Sequence, residues 1–185
     1  IYIWTNKNIK SRKMEIKIRN DLGIKQRLLS KEEVLELEPN LNPVFDAGVI
    51  YDYAYHARDP QGITKKLFEL FLNSGGKFKK EEVLGVEQTR YNQTKVKTNS
   101  EKFSFEKIVL ACGAFSKKLT DQLGEKIPLD TERGYHIHYK KMDHLLKRPV
   151  IFLDRGFGMT PMNQGLRAVG TVELGGFDNP ISKKR

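Results

Sequence analysis

The chain has 185 residues, enough to bury one sizeable core or two smaller ones. Lys and Arg outnumber Asp and Glu by 33 to 23, a formal charge of +10, and a single cysteine excludes an internal disulfide framework. No apolar run reaches the length of a membrane span and no signal peptide is evident, so a reducing, cytoplasmic setting is expected. The basic excess gathers in residues 1–31, where six Lys and three Arg face only Glu15 and Asp21. Such a stretch could meet nucleic acid or an anionic membrane surface, but aromatic residues are not interleaved among the charges, and a solvated face accounts for it. The opening on Ile1 rather than Met leads to the expectation of a piece of a longer protein.

Lys7–Leu22 fits a helical face through Met14, Ile18 and Leu22 as well as a strand alternation through Met14, Ile16 and Ile18. A helix ended by Gly23 is the reading adopted. A short extended piece over Lys25–Leu29 follows. Ser30-Lys31-Glu32-Glu33 has the form of a capping box and predicts a helix through Val34, Leu35 and Leu37 that stops before Pro39. Ala47–Tyr55, rich in Tyr and Val, predicts a strand.

Asp59-Pro60 is the clearest helix start in the chain, an N-cap acceptor followed by proline at the first helical position. Ile63, Leu67, Leu70 and Phe71 line one face of that helix, and Gly75-Gly76 end it. Residues 77–107 predict a three-stranded meander: Val83–Thr89, a turn at Asn92-Gln93, Thr94–Thr98, a turn at Asn99-Ser100, and Phe103–Phe105. The Asn92-Gln93-Thr94 sequon is read as a coincidence of that first turn. Ile108–Cys112 is uniformly apolar and predicts a strand buried on both faces, as in a helix-covered parallel sheet. Gly113 ends it, and Phe115, Leu119 and Leu123 predict a helix stopped by Gly124.

In Arg133–Tyr139, Tyr135, Ile137 and Tyr139 share one strand face while His136 and His138 share the other. Pro149–Leu153, Gly158–Met162 and Leu166–Leu174 predict further antiparallel strands, with Asn163-Gln164-Gly165 as a hairpin turn. His136 and His138 could ligate zinc with His56 or His144, but no third ligand has motif spacing, and no metal is expected. Cys112 has no basic partner beside it in sequence and reads as a small apolar side chain rather than a nucleophile.

Several blocks match one family in order: Leu28-Leu29-Ser30, Glu38-Pro39, Asp59-Pro60, Ala111–Ser116, Ile127-Pro128-Leu129, Arg133-Gly134-Tyr135, Arg148-Pro149-Val150, Thr160-Pro161-Met162, Gly165-Leu166-Arg167 and Gly170–Glu173. Together they resemble the middle of an FAD-dependent amino-acid dehydrogenase or oxidase of the D-amino-acid oxidase superfamily, and the antiparallel excursion over 77–107 resembles the one in flavin domains of the glutathione-reductase type. The resemblance implies an α+β fold, a fragment of a two-domain flavoenzyme. Residues 1–55 would be a substrate-domain segment with helices, 56–126 part of the FAD-binding domain, and 127–185 the antiparallel substrate-domain sheet. It implies oxidation of an amino acid, with a D-amino acid favoured, to the imino acid by hydride transfer to flavin.

FAD would find most of its site outside this chain, because the G-x-G-x-x-G fingerprint does not occur here and Gly156-Phe157-Gly158 only imitates its start between strands. Within the chain the resemblance assigns cofactor contacts to the backbone of Val83, Ala111, Cys112 and Gly113. It assigns substrate contacts to Arg133, Tyr135 and Met162, with Arg167 as the other arginine able to hold a carboxylate. Met162 departs from glycine-oxidase-like relatives, which carry arginine after this proline. The partner expected is a small amino acid, with no nucleic acid; a peripheral contact with the inner face of the membrane for electron transfer stays open. The other reading is a basic, β-rich nucleic-acid-binding or protein-interaction module.

Overall fold

The computed structural model describes residues 1–5, 9–89 and 93–182, with the backbone alone at 9–11. It divides into two compact units, one built of Ile1–Lys66, Gly134–Glu173 and Ser182 onward, the other of Leu67–Arg133 and Leu174–Ile181.

The first unit is a seven-stranded sheet with two helices from the first third of the chain. Its strands are β1 (Tyr2–Trp4), β2 (Gln26–Ser30), β3 (Ala47–Tyr51), β7 (Arg133–Lys140), β8 (Val150–Phe152), β9 (Phe157–Met162) and β10 (Gly165–Glu173), in the order β2-β3-β1-β8-β9-β10-β7. The helices are α1 (Ile9–Asp21) and α2 (Lys31–Leu37). The period of the α1 stretch is thus helical; Lys7 and Asn8 lie outside the described residues. Helix α2 starts as its sequence requires: Ser30 Oγ accepts the Glu33 N–H at 3.2 Å and the Glu33 carboxylate accepts the Ser30 N–H at 2.7 Å.

A single hydrophobic core holds this unit together, with Ile3, Leu29, Val34, Phe45, Val150 and Leu166 at its centre. Helix α2 approaches the sheet closely at Gly48, where an added Cβ would lie 2.9 Å from Val34 Cγ2 and 3.1 Å from the Tyr2 carbonyl. Glycine there lets Val34 reach full burial against β3. Strand β3 ends at Tyr51, earlier than the composition of Ala47–Tyr55 predicts, because Tyr51 is the last residue with a partner, Gln26.

The strands after Arg133 do not form an antiparallel sheet of their own. They extend β1–β3 through a parallel pairing of Tyr2 with Ile151 and Ile3 with Phe152, which makes the sheet mixed. The apolar Tyr2-Ile3-Trp4 segment becomes an inner strand because it can pair on both edges, with β3 on one side and β8 on the other. The expected hairpin is present: β9 and β10 pair antiparallel, with Met162 opposite Gly165.

Helix α3 (Pro60–Asn73) starts at its predicted cap, Asp59 Oδ1 accepting the Gly62 N–H at 2.9 Å. Its apolar residues Ile63, Leu67, Leu70 and Phe71 stay exposed. In the second unit, β4 (Val83–Gln88), β5 (Thr94–Thr98) and β6 (Lys102–Phe105) form the predicted meander. The turn placed at Asn92-Gln93 falls partly outside the described residues, since Asn92 is among those not described. The edge of β4 is covered by Gln122, whose Oε1 accepts the Val86 N–H at 3.0 Å.

Two expectations fail here. Ile108–Cys112 forms no ladder, and Val109 is 90% exposed rather than buried. A strand buried on both faces needs neighbours along its edges, and neither sheet of the described residues supplies one. The helix expected over Phe115–Leu123 is broken into 3-10 turns at Gly113–Phe115 and Asp121–Leu123 around one α-helical turn, α4 (Ser116–Thr120).

Candidate functional site

Strands β7 and β10 are neighbours in the large sheet, and both carry residues singled out for the substrate. Arg133 opens β7, and its guanidinium donates to the carbonyls of Asn179 at 2.8 Å and Pro180 at 3.2 Å. These acceptors fix the plane of the fork. Two residues on, the Tyr135 hydroxyl donates to the Glu173 carboxylate and accepts the Ser182 N–H at 3.1 Å. Strand alternation puts Arg133 and Tyr135 on one side of β7.

Met162 is elsewhere. It sits at the end of β9 opposite Gly165, the first residue of the nine-residue β10, whereas Glu173 is the last. At about 3.3 Å per residue the two ends are roughly 25 Å apart. The structure therefore does not bring Tyr135 and Met162 into one pocket. Met162, 7% exposed, lines instead a cavity of about 220 Å³ with Arg58, His138, Gln164 and Arg167.

That cavity has no signature in the sequence, although Arg167 is one of its lining residues. Arg58 is held there by Asp143 at 3.0 Å, and its carbonyl accepts the N–H of Asn163 in the hairpin turn at 3.0 Å. These long-range contacts have no local signature. The alternation of His136 and His138 could have flagged one histidine for this wall, but only pairing of β7 beside β10 shows that it is His138. The two rings meet edge to face, 5.3 Å between centroids. Among the described residues no group of three or more His, Cys, Asp or Glu side chains is placed to hold a metal ion.

The residues assigned to the cofactor lie in the second unit. Val83 is the first residue of β4 and pairs with Thr98. Ala111, Cys112 and Gly113 are exposed, and Cys112 is a free thiol rather than a buried apolar residue. The Cys112 N–H donates to Ser116 Oγ at 3.1 Å, and Gly113 has φ of +56° with open space where a Cβ would stand. This segment offers uncharged, accessible backbone to a flat group. It offers no long helix for a pyrophosphate.

The fold superposes on glycine oxidase from Geobacillus kaustophilus with a TM-score of 0.83, covering 99% of this chain and 50% of that one at 19% identity. The chain belongs to the FAD dependent oxidoreductase family (DAO), whose model matches residues 2–185. It is 31% identical over 169 residues to D-amino-acid oxidase of Bradyrhizobium diazoefficiens, covering 91% of this chain and 40% of the relative. It is 24% identical over 184 residues to D-amino acid dehydrogenase of Neisseria meningitidis, covering 97% of this chain and 44% of the relative. The chain thus spans less than half the length of the curated relatives it matches. Among the described residues no helix is long and apolar enough to cross a membrane.

Proposed function

We propose that this chain forms part of an enzyme that oxidises a D-amino acid to its imino acid with FAD, the imino acid then hydrolysing to a 2-oxo acid and ammonia. The observation that carries the reading is the match of residues 2–185 to the FAD dependent oxidoreductase family, with relatives that include a D-amino-acid oxidase and a D-amino acid dehydrogenase. FAD supplies the hydride acceptor when bound. Val83, Ala111, Cys112 and Gly113 contribute backbone contacts to it, for which the open surface at Gly113 leaves room.

The protein's own part is to bind and orient. An amino acid presents a carboxylate, and a planar guanidinium is its best-matched donor. The Arg133 guanidinium is fixed in orientation by the carbonyls of Asn179 and Pro180. Tyr135 is fixed by Glu173 and narrows the angles at which a substrate can approach. The basic residues of 1–31 would suit a peripheral contact with an anionic membrane if a membrane carrier takes the electrons.

The test is steady-state kinetics of the full-length protein with a series of D- and L-amino acids. Arg133→Ala should raise KM for the preferred substrate by about 30-fold or more, the loss of roughly 2–4 kcal/mol from a charge-assisted pair. Unchanged KM and kcat would remove Arg133 from the substrate site. Absence of flavin reduction by any amino acid would sink the reading itself.

A further inference from the structure

At the β9–β10 turn of the large sheet, Arg58, His138, Met162, Gln164 and Arg167 enclose the cavity of about 220 Å³. Its two arginines differ in how they are satisfied. Arg58 is matched by Asp143 at 3.0 Å. Arg167 is half-buried, and its Nε is fully shielded from solvent with no hydrogen-bond partner. Asp59 is also on the wall, but one of its oxygens is committed to the Gly62 N–H at 2.9 Å, where it caps α3.

An arginine Nε–H shielded from water without an acceptor is costly, and an oxyanion entering the cavity relieves that cost. The planar fork of arginine matches two oxygens of one anion, while the Gln164 amide and the His138 ring add donors from the wall. Met162 supplies an apolar part of the lining. The cavity is smaller than the ~300–1,000 Å³ of pockets that take drug-sized ligands. It suits a single charged group.

We infer that this cavity is a binding site for a small oxyanion, a carboxylate or a phosphate, with Arg167 as the principal ligand and Gln164 and His138 in support. The inference does not depend on the amino-acid reading, since the cavity stands at the opposite end of β10 from Tyr135 and Glu173.

The experiment is titration of the full chain with inorganic phosphate and, separately, with acetate, at constant ionic strength, following backbone amide shifts. Saturable shifts at Gln164, Gly165 and His138 are expected with at least one of the two anions, and the stronger one identifies the group the site takes. Arg167→Gln should weaken binding at least about tenfold. Gln164→Ala, at an exposed turn position, should weaken it several-fold and serves if Arg167→Gln unfolds the sheet. Shifts that fail to saturate with both anions, or wild-type affinity in the folded variants, would overturn the assignment.

Discussion

Glu38 and Arg148 meet as an ion pair at the edge of the core, Arg148 Nη1 lying 3.3 Å from Glu38 Oε1. Glu38 is completely buried, and its other oxygen accepts the Lys147 N–H at 2.9 Å. Arg148 Nη1 also donates to the Leu37 carbonyl at 3.1 Å, close to the end of α2. Two short blocks from distant parts of the chain are thereby joined, and the end of α2 is tied to the residues that lead into β8.

Removing either partner should destabilise the chain, and not equally. Arg148→Ala strands a buried carboxylate and should cost about 3–5 kcal/mol. Glu38→Gln keeps an acceptor for the Lys147 N–H and leaves a guanidinium that is 31% exposed to water, so it should cost less, about 1–3 kcal/mol. Urea denaturation of the two variants checks the order. Equal or negligible losses would show that the pair is not a stabilising seam.

Gly165→Ala should be among the most damaging single-methyl changes. Gly165 has φ of +133°, and an added Cβ would fall 2.2 Å from the Tyr139 carbonyl oxygen, a backbone atom that cannot move aside without shifting β7. Backbone strain and overpacking together should cost roughly 2–5 kcal/mol. Thermal unfolding measures it, and a variant within experimental error of the parent would contradict the close β7–β10 approach at this point.

Glu81 should titrate well below an ordinary carboxyl. Hydrogen bonds from Ser100 Oγ, at 2.6 Å, and from Thr98 Oγ1, with Lys79 Nζ at 3.1 Å, hold its pKa down from 4.5 to about 2. A depressed folded-state value means that the contribution to stability is fully present above the unfolded value, near 4.5, and is lost as pH falls through about 2. The stability difference between the parent and Glu81→Gln should therefore grow from pH 2 to 4.5 and level off above. Carboxyl carbon shifts give the titration directly, and a midpoint near 4.5 would refute the cluster.

The sequence by itself determined the features whose partners lie a few residues away. The Ser30 capping box, the Asp59-Pro60 helix start and the Asn163-Gln164 hairpin are closed by local hydrogen bonds, so local residue types suffice to specify them. The order of its short blocks was also enough to indicate the family. Only the tertiary structure decided which strand lies beside which. Alternation tells which face of a strand is apolar but not what pairs with its edge, so the insertion of β1 between β3 and β8 had no local signal. For the same reason the apolar run Ile108–Cys112 has no neighbouring strand among the described residues, and Val109, Ala111 and Cys112 are left exposed despite its composition. The convergence of Arg58, His138 and Arg167 follows from sheet order and one long-range contact at the hairpin turn, and neither is encoded in the spacing of those residues along the chain.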